Sequence, residues 1–376
     1  MISDVDKTGT LEGFTQVVER VAKDPEVNAL IILACSDNGF TPAQIDPVLH
    51  AIDKPLMGGV FPAVMVGGER LAAGTVVWGV RRPVSISVLQ NVSDPSIDMV
   101  EALEQALPDE MPDNALQIVF VDGFSRRIGA LTTALHELVG LTTDTVGGGA
   151  GSLDFIQRPC LFTAQGMLED AAVVATVAGR AGVGVAHGWS TIGGPFRVTE
   201  SDQNTIISLD WRPAFEVYRE VVEAHSGQTF NDSNFFDIAK AYPFGIARLD
   251  AERIVRDPLT MAEDNSLTCV GEVPQGEHVD ILHGDRPSLL SAAGRAREIA
   301  DQRLGEPAHV RLFMDCISRV LFLDEAFEQE VLAVKHDDAP LLGACTIGEV
   351  ANHGGEFVEF YNKTAVVATL PAAELV

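Results

Sequence analysis

An apolar run that closes on aspartate recurs along this chain, at Leu30–Asp37, Ile118–Asp122, Ile206–Asp210 and Val310–Asp315; the aspartates stand 85, 88 and 105 residues apart. Each run is short and mostly apolar, bounded like a buried strand. A helical spacing follows each one: Ile45, Val48, Leu49 and Ile52; Ile128, Leu131, Leu135 and Leu138; Phe215, Val217, Val221 and Val222; Leu323, Phe327, Val331 and Val334. Each helix leads to a glycine turn, at Leu56–Gly59, Val146–Gly149, Pro243–Gly245 and Leu341–Gly343. A polar hairpin region then runs into a further strand, at Val84–Leu89, Val183–Ala186, Val279–Leu282 and Ala365–Leu370. Landmarks repeated in one order predict four copies of a strand–helix–strand–hairpin cassette. Further amphipathic stretches at Ser96–Leu107 and Pro287–Leu304 follow only the first and third copies, which pairs the copies into two similar halves, 27–200 and 206–370. Helices laid on sheets in this order give a mixed α/β fold of packed layers.

With 46% hydrophobic and 21% charged residues, the 376-residue chain has ample material for a core. Its 54 acidic side chains against 26 basic ones give a net charge of −28, and no basic stripe interrupts them. Such a surface repels phosphate backbones and anionic lipid, so nucleic acid is excluded as a partner. The longest apolar stretch, Ala171–Ala186, is broken by Arg180, Gly179, Gly182 and Gly184 and falls short of the ~20 residues a membrane helix needs. Asp4 and Asp6 stand where a signal peptide would be basic, and the expectation is a cytoplasmic protein with no membrane insertion. Five cysteines without CxxC spacing fit reduced thiols and neither a disulfide framework nor structural zinc.

The sequence carries no GxSxG, HExxH or GxxxxGK[ST] pattern, and no recognisable catalytic constellation. The residues that stand out lie where strands hand over to helices, the place where open sheets put ligand-contacting loops. Asp122–Arg127 carries Arg126 and Arg127, whose guanidiniums suit a carboxylate. Gly147–Gly151 carries Gly148 and Gly149, which let backbone N–H groups approach a ligand, with Asp154 beyond them. In the fourth cassette, Cys316 and Arg319 follow Asp315, and Gly343–Glu349 mirrors Gly147–Asp154. The expectation is that Arg319 and Glu349 lie close together and face a groove built from these loops, as a ligand-binding pair or a structural ion pair. Cys316 beside Arg319 is the one arrangement that an enzyme reading could use. His187 ends an apolar strand and is the best-placed haem or metal ligand. The Glu-rich stretch Asp324–Glu330 reads as a helix face turned to water.

Taken in order, these segments resemble the FIST domain family. In the N-terminal part the resemblance rests on Val121–Phe124, Val146–Gly151, His187–Gly193 and Phe196–Thr199. In the C-terminal part it rests on Leu209–Ala214 with Glu216–Tyr218, Asp315–Arg319, Gly343–Glu349 and Tyr361–Asn362. Ser152 departs from the pattern, standing where the family carries an acidic residue. The resemblance implies a cytosolic sensory module for a small ligand, with amino acids proposed as ligands and haem-based nitric oxide sensing in some members. A module with no output domain attached implies a separate signalling partner.

Overall fold

The computed structural model describes residues 2–140, 142–231, 233–248, 252–352 and 357–372. Its mixed α/β architecture places helices on four sheets among these residues. Three of the sheets have six strands each and are built alike. In the first, Ala29–Cys35 runs parallel to Leu56–Phe61 and antiparallel to Thr75–Val80. In the second, Ala115–Asp122 has the same relation to Thr143–Ala150 and Ala171–Ala178. In the third, Val310–Cys316 has it to Leu341–Thr346 and Ala365–Leu370. An outer strand completes one edge of each sheet, at Ile2–Asp6, Val84–Gln90 and Gly182–Ala186.

The other edge is donated. The hairpin that follows each parallel pair leaves its own sheet and adds to another: Ala63 pairs opposite Cys345, Leu161 opposite Gly59, and Glu349 opposite Gly148. First repeat to third, second to first and third to second, the exchanges close a ring of three repeats, and each donated hairpin covers the edge of the parallel strand it joins. One register position proves the equivalence. Gly58, Gly147 and Gly343 all lie beside the central strand, where a Cβ would stand 2.1, 1.8 and 1.9 Å from the carbonyl oxygens of Ile32, Val119 and Phe313. Only glycine fits so close an approach. At the axis, Ile31, Leu33, Ile118, Phe120, Leu312 and Met314 enclose an apolar space of about 10 Å³. With no polar partners for a water, this is dry core and not a ligand chamber.

The third repeat is interrupted. Between Gly182–Ala186 and the helix Arg286–Leu304 the chain inserts a separate sheet, ordered Ile254–Arg256, Phe244–Ile246, His278–His283, Ser190–Asp202, Thr205–Leu209, Leu267–Cys269, Pro258–Met261. The helix Ala214–Ser226 packs on it through Phe215, Tyr218 and Val222. The mixed α/β class therefore stands, but the expectation of four cassettes in two halves is corrected to three repeats and an insert. Thr205–Leu209, taken for a third central strand, forms an antiparallel hairpin with Ser190–Asp202. Asp210 and Trp211 turn a tight corner at φ 49° and 60°. Amphipathic spacing alone does not distinguish a strand that pairs in parallel from one that pairs with its neighbour in sequence. No helix among the described residues is long and apolar enough to cross a membrane.

Candidate functional site

Equivalent positions in the ring show where one repeat departs from the others. Cys35, Asp122 and Cys316 end the three central strands opposite Phe61, Ala150 and Thr346. Asp122 and Asp315 thus lie on equivalent strands, one residue out of register with each other. On the donated hairpins, Val64, Leu161 and Glu349 are sister positions opposite Ala344, Gly59 and Gly148. Their hairpin partners are Leu71, Leu168 and Tyr361. Two repeats put an aliphatic pair at this point, and the third puts a fully buried carboxyl group beside a tyrosine.

Around Glu349 lies a buried polar network. Its Oε1 accepts from the Thr346 hydroxyl at 2.7 Å, while Oε2 makes no hydrogen bond of good geometry. Arg319, with no exposed surface, stands with Nε 3.0 Å from Asp315 and pairs with Glu330 through a terminal nitrogen. It also donates to the carbonyls of His187 (2.7 Å), Leu289 (3.0 Å) and Lys363 (3.3 Å). Burial raises the carboxyl groups of Asp315 and Glu349 well above the usual range and raises Glu330 as well. Burial pulls the Arg319 guanidinium down, but Glu330 and Asp315 more than offset it.

The insert contributes the other wall. Lys363, in the connection from Glu359–Tyr361 to Ala365–Leu370, reaches toward the insert and puts its ammonium 3.0 Å from Asp257, 2.9 Å from the Lys240 carbonyl and 5.2 Å above the Trp189 ring. Arg256 donates to the Phe360 carbonyl at 2.9 Å and to the Glu272 carbonyl at 2.8 Å; burial pulls it down to about 10. Trp189 Nε1 donates to the Lys363 carbonyl at 3.1 Å.

Not every residue singled out in the sequence joins this seam. Gly148 and Gly149 do: Gly149 N donates to the Gly348 carbonyl at 2.8 Å, and Ile347 N to the Gly149 carbonyl at 2.9 Å. Cys316, Arg319 and Glu349 do as well. Asp122 is buried but ties neighbouring loops of its own repeat together, accepting from Phe124 N, Gln157 and Asp170 N. Arg127 donates to the carbonyls of Asp94 and Ile97. Arg126 and Asp154 are exposed, and Asp154 pairs with Arg158 and accepts from Ser152. The expected Arg319–Glu349 ion pair is replaced by pairs to Asp315 and Glu330. Glu330, expected in water, is fully buried; its spacing from Phe327, Val331 and Val334 on the same helix face was the available signal. Lys363, Asp257 and Arg256 gave none, because they meet only across the seam.

Two chemical readings lose their basis here. A nucleophilic cysteine needs a lowered thiol pKa, whereas burial, then the neighbouring Glu349, push the Cys316 thiol up. A haem ligand needs a free ring nitrogen. His187 is buried, its Nδ1 accepts from Trp189 N at 2.9 Å and its Nε2 lies 2.9 Å from the Glu252 carboxylate, so it does not fit that role. Among the described residues no group of three or more His, Cys, Asp or Glu side chains is placed to hold a metal ion.

Comparison with known proteins finds the FIST N domain over residues 29–212 and the FIST C domain over residues 214–352. No curated protein matches. The two matches meet inside the insert and together cover most of the chain. This chain, with its ring and interrupted third repeat, belongs to the FIST family of sensory, signal-transduction domains.

Proposed function

We propose that the protein is a cytoplasmic small-ligand sensor that signals through a separate partner protein, and that its ligand is a small polar molecule of the amino-acid type. Family membership supports the sensory role, and five unpaired, buried cysteines suit a reducing compartment. Glu349 carries the site assignment: a carboxyl group with an oxygen to spare stands where the sister repeats place Val64 and Leu161. That oxygen is matched to an ammonium donor, with Gly148, Gly149 and Cys316 as its surroundings and Arg319 behind them. The seam is closed, so admitting a ligand separates the insert from the ring. A ligand that binds the opened arrangement better shifts the population toward it, by no more than its differential affinity for the two states.

The test is native mass spectrometry of the purified chain, followed by thermal unfolding against a panel of amino acids and small amines. A true ligand at a hundredfold its Kd stabilises by about 2.7 kcal/mol, and Glu349→Gln abolishes the gain. A ligand whose affinity survives Glu349→Gln moves the site elsewhere, and a panel without any binder overturns the ligand class.

A further inference from the structure

We propose that the strand Val84–Gln90 is the surface through which two copies of this chain pair, edge to edge and antiparallel. It lies at the far edge of the sheet that Glu349 joins, away from the seam. The three outer strands of the ring are equivalent, and two of them are protected. Ile2–Asp6 carries Asp4 and Asp6 within five residues, and Asp4 pairs with Arg20 at 2.6 Å; charge of this kind blunts an edge against pairing. Gly182–Ala186 is buried along its whole length under the helix Arg286–Leu304. A Cβ on Gly182 or Gly184 would stand 2.0 or 1.9 Å from the carbonyl oxygens of Ala300 and Ala296, and Arg303 donates to the Val183 carbonyl at 3.0 Å. Val84–Gln90 has neither device. It is seven residues long, and no charged side chain occurs from Pro83 to Ser93. The helix that follows it, Met99–Ala106, has eight residues, where Leu11–Ala22 and Arg286–Leu304 have 12 and 19 with which to cover the sister edges.

Ala178 N donates to the Pro83 carbonyl at 2.9 Å, so the odd-numbered residues of the strand point their backbone groups at Ala171–Ala178. Val84, Ile86, Val88 and Gln90 point theirs the other way, and among the described residues no hydrogen bond reaches them there. Unpaired N–H and C=O groups beside half-buried valine and isoleucine side chains are a template for one more strand. A second copy of this chain fits it. At a net charge of −28 the chain repels itself over most of its surface, and along this uncharged edge that repulsion is weakest. The two ends of the strand also differ in charge. Arg81, Arg82 and Arg180 stand at one end, with Glu26 paired to Arg81; Asp94, Glu169 and Asp170 stand at the other, with Arg126 and Arg127 as neighbours. The first end is net basic and the second net acidic. An antiparallel two-fold centred on Ser87 sets Val84 against Gln90 and Ile86 against Val88, which uses all four outward-facing residues. It also brings the basic end of each copy to the acidic end of the other, the self-complementarity an isologous contact requires. A parallel partner would set like ends together.

Sedimentation equilibrium of the full-length chain tests this. At about 100 μM, where a contact with a Kd of roughly 10 μM is mostly formed, the mass should lie near twice 40.2 kDa. Ile86→Lys puts a charge on the edge and Val88→Pro removes an outward N–H that no bond within the chain uses; each should weaken the association about tenfold or more and leave the circular dichroism spectrum unchanged. Ser87→Cys reads the register. At the two-fold centre, facing Cα atoms of a non-hydrogen-bonded pair stand about 4.5 Å apart, so mild oxidation should link two copies through this cysteine. Ser85→Cys, set against Leu89 in the same register, should not link. A wild-type chain that stays at 40.2 kDa overturns self-pairing, whatever other protein it binds. A dimer that survives both Ile86→Lys and Val88→Pro overturns the assignment to this edge, and linking through Ser85→Cys in place of Ser87→Cys overturns the antiparallel two-fold. The wild-type mass and the Ser87→Cys link decide the matter even if an edge variant fails to fold.

Discussion

Arg319 uses its guanidinium on the protein itself, and this separates a structural cation from one held ready for a ligand. Arg319→Ala leaves Asp315 and Glu330 buried without their partner, and the expected cost is about 3–5 kcal/mol in chemical denaturation. Glu330→Gln, which keeps the shape and a hydrogen-bonding oxygen, costs less than Arg319→Ala. Equal losses would show that charge is not what the pair provides. The five cysteines are buried, and burial raises the thiols of Cys35, Cys160, Cys269, Cys316 and Cys345 alike. A thiol reagent at neutral pH is therefore expected to label none of them in the native protein and all of them in denaturant. Rapid native labelling of Cys316 would reopen the enzyme reading. The sequence singled out Arg319 and Glu349 correctly as residues of one neighbourhood. It mispaired them because the true partner, Glu330, lies on a helix whose polar face looked continuous in one dimension.

At the level of elements, the three glycines beside the central strands make the repeat testable. Gly58→Ala, Gly147→Ala and Gly343→Ala each drive a methyl group into a carbonyl oxygen. Each should cost about 3 kcal/mol or more, by equilibrium unfolding, with similar values in the three repeats. A tolerated substitution at one position would break the equivalence. The insert carries a pH-sensitive histidine of its own, His283. His225, in the last turn of its helix, stacks on His283 with ring centroids 4.7 Å apart, and both rings lie near Tyr242. Burial, then the neighbouring His225, lower His283 below its ordinary value of 6.5. The unfolded chain then binds the proton more readily than the native one, so this contribution is fully present above pH 6.5 and is lost as pH falls through that value. Melting followed from pH 7.5 to 5.5 should show a decline that His283→Gln flattens; an unchanged slope in the variant rules His283 out as its source.

Across the whole molecule, ring closure ties together segments far apart in sequence. Gly182–Ala186 pairs with Ala365–Leu370, and the Glu349–Ala351 strand pairs with Thr143–Ala150. Residues 27–200 and 206–370, produced separately, should each lack the strands that complete their sheets and should fail to fold alone. Mixed during refolding, they should restore the native circular dichroism spectrum. A cooperatively folded 27–200 fragment would contradict this dependence.

Strand and helix periodicity, the glycine turns, the acidic surface and the family motifs were all legible in the sequence, because each is set by neighbours within a few turns of chain. The mixed α/β class follows from them, as do the Arg319–Glu349 neighbourhood and the seam glycines Gly148 and Gly149. What the tertiary structure decided is which elements pair. Exchange of hairpins among three repeats is fixed by contacts across more than a hundred residues, and an antiparallel insert strand such as Thr205–Leu209 has the same local pattern as a central strand. The same holds for the buried network. Lys363 and Asp257, or Arg319 and Glu330, become partners only when folding removes water from both at once, and neither member carries that information in its own surroundings along the chain.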